Sequence, residues 1–303
     1  MGSGDELDGW IARLRAIPDD DRSFTVDAAQ AEREFGVDAG LARELVARGL
    51  PHAPDGPQGD GRFWPTDLHY VGLRLGCATI YQGVLNRWAG ALTAFSAREA
   101  TTVEIRCSAY APRGTEVELL VAPGERMRAS VGDRAAPLRF EATAHGALGM
   151  LDGALADALG ALLDDLATYD FCWLRPPRDT DDSFVRRTRL ANCLSTASLL
   201  VEEAPQLGVE ARLAHGLLLA PPYSTPHNWA EVRGADGAWT PLDPLLLGLL
   251  ARFAGLDAGS WPPSRSPGAV LLRLAEPGTP LLWAVEDGAA LEATFLTKAL
   301  ETA

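Results

Sequence analysis

Residues 226–232 read PHNWAEV, and the alternation in this short run organises the rest of the chain. The run reads as a strand, and in a strand successive side chains fall on opposite faces. His227, Trp229 and Glu231 therefore share one face, and Asn228, Ala230 and Val232 the other. A face built of an imidazole, an indole and a carboxylate is a poor core and a good site. Upstream, Cys193 stands just before an apolar-periodic run, Leu194, Ala197, Leu200 and Val201, which predicts a buried helix. A cysteine at a helix start feels the positive end of the helix dipole, which favours thiolate over thiol. Downstream come a turn, RGADGA at 233–238, and then WTPLDP at 239–244.

Turn length decides what faces the histidine. An odd-length loop centred on residue 235, either 234–236 or 233–237, sets His227 opposite Asp243 and Glu231 opposite Trp239. A two-residue turn at Asp236 and Gly237 would oppose His227 to Leu246 and move Asp243 to the other face. Only the odd loop makes a His–Asp pair, and it is the expected one. A cysteine nucleophile, a histidine base and an aspartate that fixes the imidazole tautomer are the three parts of an activated thiolate.

Four motifs now stand in order: Cys193 opening a helix, LGVEAR with Gly208 and Arg212 closing it, HNWAEV, and WTPLDP. Together they resemble the transglutaminase-like superfamily over about residues 150–250. The resemblance implies an α+β, papain-like fold in which the cysteine-bearing helix packs on an antiparallel sheet. It implies acyl transfer (amide hydrolysis, transamidation or amide formation) through a Cys193 thioester, with His227 as general base and acid and Asp243 as orienter. The substrate would be an amide, a thioester or a peptide, and neither a metal nor an organic cofactor is needed. By the same resemblance Trp173 is a candidate oxyanion donor, while Trp229 and Trp239 would wall the site. Ala191 stands where the family often has glycine two residues before the nucleophile.

The remainder of the chain reads as follows. Residues 24–75 show a helix ending at Gly36, a second helix capped by Asp38 and stopping at Gly49, a Pro/Gly-rich loop, and a short strand leading to a cap in TDL at 66–68. That outline resembles the winged helix-turn-helix of MerR and excisionase proteins, and it divides the chain into a module at 1–75 and a catalytic domain at 76–303. Helix is expected over 76–99, with a stripe through Ile80, Val84, Trp88, Leu92 and Phe95, and again over 147–168. Antiparallel strands are expected over 101–145, where Cys107 is a packed thiol. His215 reads as a satisfied core histidine, Arg212 as a partner for a carboxylate, Cys172 as inert, and residues 175–189 as a solvated connector running into the catalytic helix.

Charge limits the partners. The net charge is −14, and the stretch 19–74 carries 11 acidic residues against six basic ones, so a phosphate backbone finds no cationic surface there. A packing appendage, or an interaction module for a carrier protein or peptide, fits that stretch better than a DNA reader. The start MGSGDELDGW lacks a signal-peptide pattern, and the most apolar run, from Pro244, is too short to span a bilayer, so a cytoplasmic location is expected. Two rivals to an enzyme remain open: a catalytically retired binding module, and a DNA-binding regulator with a fused sensor domain. The charge balance makes one outcome plain: titration of the protein with random-sequence duplex DNA at physiological salt is expected to show no sub-micromolar binding.

Overall fold

Side-chain caps set the first helix starts. A computed structural model describes residues 4–53, 61–77, 79–95, 98–132, 137–146, 149–275 and 278–300. It opens with helices α1 (Gly4–Leu14), α2 (Ala28–Phe35) and α3 (Ala39–Ala47). Asp27 and Asp38 accept the N–H groups of Gln30 and Leu41, both at 2.8 Å, satisfying donors that a helix start leaves orphaned. Gly36 closes α2 at φ 68°, in the left-handed region that glycine enters without cost. Isolated bridges, Val26 to Phe63 and Ala53 to Arg62, brace this helix pair. The Pro/Gly-rich loop at 54–60 lies outside the described residues. Helix α4 (Pro65–Leu75) begins two residues earlier than a cap at Thr66 predicts. Pro65 takes its first position, where a missing N–H costs nothing, and no side chain caps it.

Helix α5 (Ile80–Phe95) buries Tyr81, Leu85, Trp88, Leu92 and Phe95, whereas Ile80 is 69% exposed. The stripes through 80 and 84 and through 81 and 85 both lead to Trp88 at helical spacing. Packing chose between them, because Tyr81 meets the rings of Tyr70, Trp88 and Phe171. Strands β1 (Ala100–Ala109), β2 (Glu116–Ala122), β3 (Glu125–Ser130) and β4 (Pro137–His145) follow, as the alternation predicts, and then α6 (Gly153–Ala167).

The second half supplies β5 (Asp170–Phe171), α7 (Asp182–Thr188), β6 (Leu190–Ala191), α8 (Cys193–Glu203), β7 (Ala211–Leu218), β8 (Tyr223–Arg233), β9 (Trp239–Leu242), α9 (Pro244–Phe253), β10 (Leu271–Ala275), β11 (Leu282–Ala284) and β12 (Ala293–Ala299). The main sheet runs β10-β7-β8-β12-β1-β4, antiparallel throughout, with β9 as a second partner of β8. It curls until its end strands β10 and β4 approach each other, and α8 packs against β7 and β8. Helix α9 lies against α6 and α8. A Cβ on Gly248 would fall 2.1 Å from the Ala167 carbonyl oxygen, so glycine permits this close approach. Among the described residues no helix is long and apolar enough to cross a membrane.

The stretch expected as a solvated connector at 175–189 carries a helix over 182–188. Asp181 accepts the Phe184 N–H at 3.0 Å and so starts α7, which buries Phe184, Val185 and Thr188. The apolar pair Phe184 and Val185 was hidden among charges that face solvent.

One carboxylate binds the N-terminal helices to the rest. Asp170, 6% exposed, receives Arg13 from α1, Arg74 from α4 and, at 3.0 Å, Arg252 from α9. The apolar core is likewise continuous from Trp10 to Phe295. Removing the shared anion leaves three cations facing one another, and unpairing a buried charge cluster of this kind costs about 2–4 kcal/mol once the part-exposed arginines are discounted. Asp170→Asn is therefore expected to lower the unfolding free energy from chemical denaturation by that amount, and an unchanged value would show that the cluster holds nothing together.

Candidate active site

The position of Cys193 is built from its flanks. Asn192 is extended and caps α8: its Oδ1 accepts the Ser195 N–H at 2.9 Å, while Ser195 Oγ accepts the Asn192 N–H at 3.4 Å. This reciprocal box is worth about 1 kcal/mol to the helix. The remaining amide hydrogens of Asn192 reach the Leu174 carbonyl at 3.2 Å, and Cys172 N–H donates to the Ala191 carbonyl at 2.7 Å. Cys193 is thereby fixed as the first residue of α8. The helix buries Ala197, Leu199 and Leu200, with Leu194 and Val201 half-buried beside them.

The sulfur meets β8 at a gap in the sheet. One edge of β8 pairs with β7 from Thr225 to Val232. Its other edge pairs with β12 at Tyr223 and Ser224 and with β9 from Ala230 to Arg233, leaving residues 225–229 free of a strand partner there. The His227 carbonyl points toward β7, where it meets the His215 ring at 3.1 Å. The N–H of the next residue must then point to the open edge. Asn228 N–H does so and donates to Cys193 Sγ, and its side-chain Nδ2 lies 3.8 Å from the same sulfur. Pro226, two residues back on that edge, has no N–H to leave orphaned.

His227, on the opposite face from Asn228, hydrogen-bonds Cys193 and, through Nε2, Asp243 Oδ2 at 2.5 Å. With Nε2 engaged, the ring presents Nδ1 to the sulfur. The other carboxylate oxygen, Oδ1, accepts the Leu246 N–H at 3.0 Å and caps α9. His227 and Asp243 thus meet, yet not in the expected register. The observed pairs are Glu231 to Pro241 and Arg233 to Trp239, around a five-residue loop, 234–238. The loop is odd in length but centred on residue 236, so the register is shifted by two residues. Extended along β9, it would set Asp243 beside Trp229, diagonal to His227. Asp243 closes that diagonal by leaving the strand as the cap of α9, with φ −146° and ψ 76°.

Burial and charge act on the pair in opposite senses. Burial pushes the Cys193 thiol up, but the charge and hydrogen bond of His227 and the Asn228 N–H outweigh it, so its pKa lies below the ordinary thiol value. Burial disfavours the His227 cation, yet Cys193 and Asp243 lift its pKa to about 10. Both shifts favour the thiolate–imidazolium form of the pair over the neutral one. The other cysteines go the other way. Burial, with Asp38 adding to it, raises Cys77; burial pushes Cys107 up to about 12 and Cys172 well above its usual value.

The remaining candidates take distinct places. Trp229 is fully buried, its ring nearly parallel to that of His227 with centroids 6.5 Å apart, and its indole N–H donates to Glu231 at 3.4 Å. Glu231 in turn holds Arg212 at 2.6 Å, and the Arg212 guanidinium covers the Trp239 ring at 4.0 Å. Trp239 therefore does not wall the site: the register shift sets it opposite Arg233, at the far end of the hairpin. Trp173 is 43% exposed and edge-on to Phe171, next to the Leu174 carbonyl that Asn192 holds. His215 is satisfied by the His227 carbonyl and the Asn228 side chain, but it is half-buried beside a cleft and not in the core. Among the described residues no group of three His, Cys, Asp or Glu is placed to hold a metal ion. Asn228 was missed in the sequence because alternation sets it on the face away from His227. Its backbone N–H, which lies in neither face, is what touches the sulfur.

Residues 156–244 match the family model described as the transglutaminase-like superfamily. The matched segment spans α6 to the start of α9 and contains Cys193, His227 and Asp243. It does not reach the N-terminal helices. Among solved structures, the chain is similar to the periplasmic domain of TgpA from Pseudomonas aeruginosa, at 12% identity over 57% of this chain and 96% of that chain, with a TM-score of 0.27. No curated protein matches. The helix-on-curled-antiparallel-sheet architecture is consistent with a transglutaminase-like fold.

The electrostatics predict a selective thiol. With limiting iodoacetamide at pH 6–7, peptide mapping is expected to find Cys193 alkylated at least about tenfold faster than Cys77, Cys107 or Cys172. His227→Ala should move the Cys193 alkylation midpoint to higher pH, because it removes the cation that lowers the thiol. First labelling at another cysteine would remove the nucleophile assignment.

Proposed function

We infer that the protein is a cysteine-dependent acyltransferase or amide hydrolase of transglutaminase type. One observation carries this reading: a thiol lowered in pKa at a helix N-terminus, bonded to an imidazolium that a buried carboxylate holds at 2.5 Å. The thiolate of Cys193 attacks a carbonyl carbon, forming a C–S bond. His227 passes its Nδ1 proton to the leaving amine as the C–N bond breaks, and a thioester remains. Neutral His227 then takes a proton from water or an amine as that acceptor attacks, and the released thiolate restores the pair. Asp243 keeps the ring in the tautomer with Nδ1 toward the sulfur.

Charge on the tetrahedral intermediate needs donors. Asn192 occupies the Ser195 and Thr196 groups of the first turn, so the Cys193 and Leu194 N–H groups have no partner within the helix. The Cys193 N–H is the first donor in this reading, and the Asn228 amide at the sulfur is a nearer second than Trp173. The substrate is an amide, thioester or peptide. Residues 1–75 act as a packed appendage, since Asp170 and the shared core hold them to the rest of the chain.

Single-turnover acylation followed by intact-protein mass spectrometry tests the division of labour. Cys193→Ala should give no adduct, and His227→Ala should lose about 10³-fold or more. Asp243→Asn should lose on the order of 10² to 10³, less than serine-protease triads lose, because the helix dipole already favours the thiolate. Asparagine still accepts the Leu246 N–H, so α9 stays capped and the loss reports orientation alone. Wild-type acylation by Asp243→Asn would show that the carboxylate does not orient His227 during the reaction.

A further inference from the structure

The sheet forks along the open edge of β8, the edge whose Asn228 N–H meets the sulfur. β12 pairs with β8 at Tyr223–Leu296 and Ser224–Phe295, then parts from it, and a cleft of about 420 Å³ opens in the fork. Pro226 and His215 line one side, Ala293 and Phe295 the other, with Leu291 and Tyr110 completing the wall. The volume falls within the usual range for small-ligand sites. Register fixes which face this is. His215 opposes Asn228 and Phe295 opposes Ser224, so the cleft lies on the Pro226–Asn228 face of β8, opposite the His227 ring.

The cleft's chemistry favours an apolar occupant. The His215 ring is engaged by the His227 carbonyl and the Asn228 side chain, and burial holds its pKa down, so it stands neutral at pH 7. The Tyr110 hydroxyl is bonded to Thr294 at 2.7 Å, and Glu292 is exposed at the rim. What remains toward the cavity is mostly hydrocarbon, and hydrocarbon surface takes up hydrocarbon. Position then selects the part of the substrate. Along the open edge of β8, Pro226 is two residues, about 7 Å, from Asn228, whose N–H meets the sulfur. A large side chain on the acyl residue reaches roughly that far from its own carbonyl carbon, whereas one residue of extended backbone covers about half of it. The leaving group must take its proton from the imidazole face, so the acyl portion that stays on sulfur is the part that reaches the other face.

We propose that this cleft is the subsite for an aromatic or branched aliphatic side chain on the acyl group transferred to Cys193. The inference rests on the acyl-transfer reading above and adds its substrate class.

The test uses p-nitrophenyl esters of N-acetylphenylalanine, N-acetylleucine and N-acetylglycine with the whole chain in single turnover. The Cys193 thiolate forms the C–S bond, the ester C–O bond breaks, and p-nitrophenolate leaves with the electron pair. Phenylalanyl and leucyl esters should acylate at least about tenfold faster than the glycyl ester, relative to their rates with free cysteine. Ala293→Phe, which fills the cleft, should bring the three within about twofold, while Leu291→Ala, which enlarges it, should raise the phenylalanyl rate relative to the leucyl one. Iodoacetamide alkylation of Cys193 should be unchanged in both variants, which reports an intact fold and nucleophile. Equal rates for the three esters in the wild type, or a preference that neither variant moves, overturns the subsite while leaving the nucleophile standing. A chain that alkylates Cys193 no faster than Cys77 and takes no ester overturns both readings, and the alkylation result tells the two failures apart.

Discussion

The two oxygens of the Asp243 carboxylate do different work, and the site depends on that division. Oδ1 closes the first turn of α9 by accepting the Leu246 N–H, and Oδ2 holds the Nε2 of His227. A carboxylate that caps a helix is fixed by the helix, so its second oxygen has little freedom in where it points. Helix α9 is itself fixed by its glycine-permitted approach to the end of α6. The imidazole therefore inherits its orientation from a helix–helix contact at Gly248, about 7.5 Å along α9 from Asp243, as well as from the hairpin that carries it.

The second constraint is the interrupted edge of β8. A continuous sheet would have spent the Asn228 N–H on a neighbouring strand. Because β12 and β9 each cover only one end of β8, that N–H is directed at the thiolate of a helix packed on the sheet. The same interruption opens the cleft at Pro226. A proline there costs the edge nothing, which explains how a residue unwelcome in a central strand sits next to the histidine. The contact with the Cys193 sulfur and the cleft thus arise from one irregularity of the sheet.

Away from the site, Asp170 does for the whole molecule what Asp243 does locally. It stands on β5, which pairs with the strand β6 that runs into Cys193, and gathers arginines from α1, α4 and α9. The helix pair at residues 28–47 has the caps and turn that the sequence suggested. Its environment is a packed interface, so the outline alone carried no information about what the segment does.

The sequence by itself determined whatever depends on near neighbours in the chain. The caps at Asp27 and Asp38, the alternation of β1 to β4, the helix behind Cys193 and the shared face of His227, Trp229 and Glu231 are all local consequences of side-chain periodicity. Even the side of the strand on which Asp243 falls was legible, since parity needs only an odd loop. The tertiary structure decided the rest. It chose the hairpin centre at residue 236 and the Tyr81 stripe of α5 over the equally periodic Ile80 stripe, and it folded 182–188 into a helix where the charges suggested a connector. It also made Asn228 part of the site and placed the cleft beside it. Those outcomes turn on which elements leave an edge uncovered or a ring to pack against, and such contacts join residues far apart in the chain, where no local pattern records them.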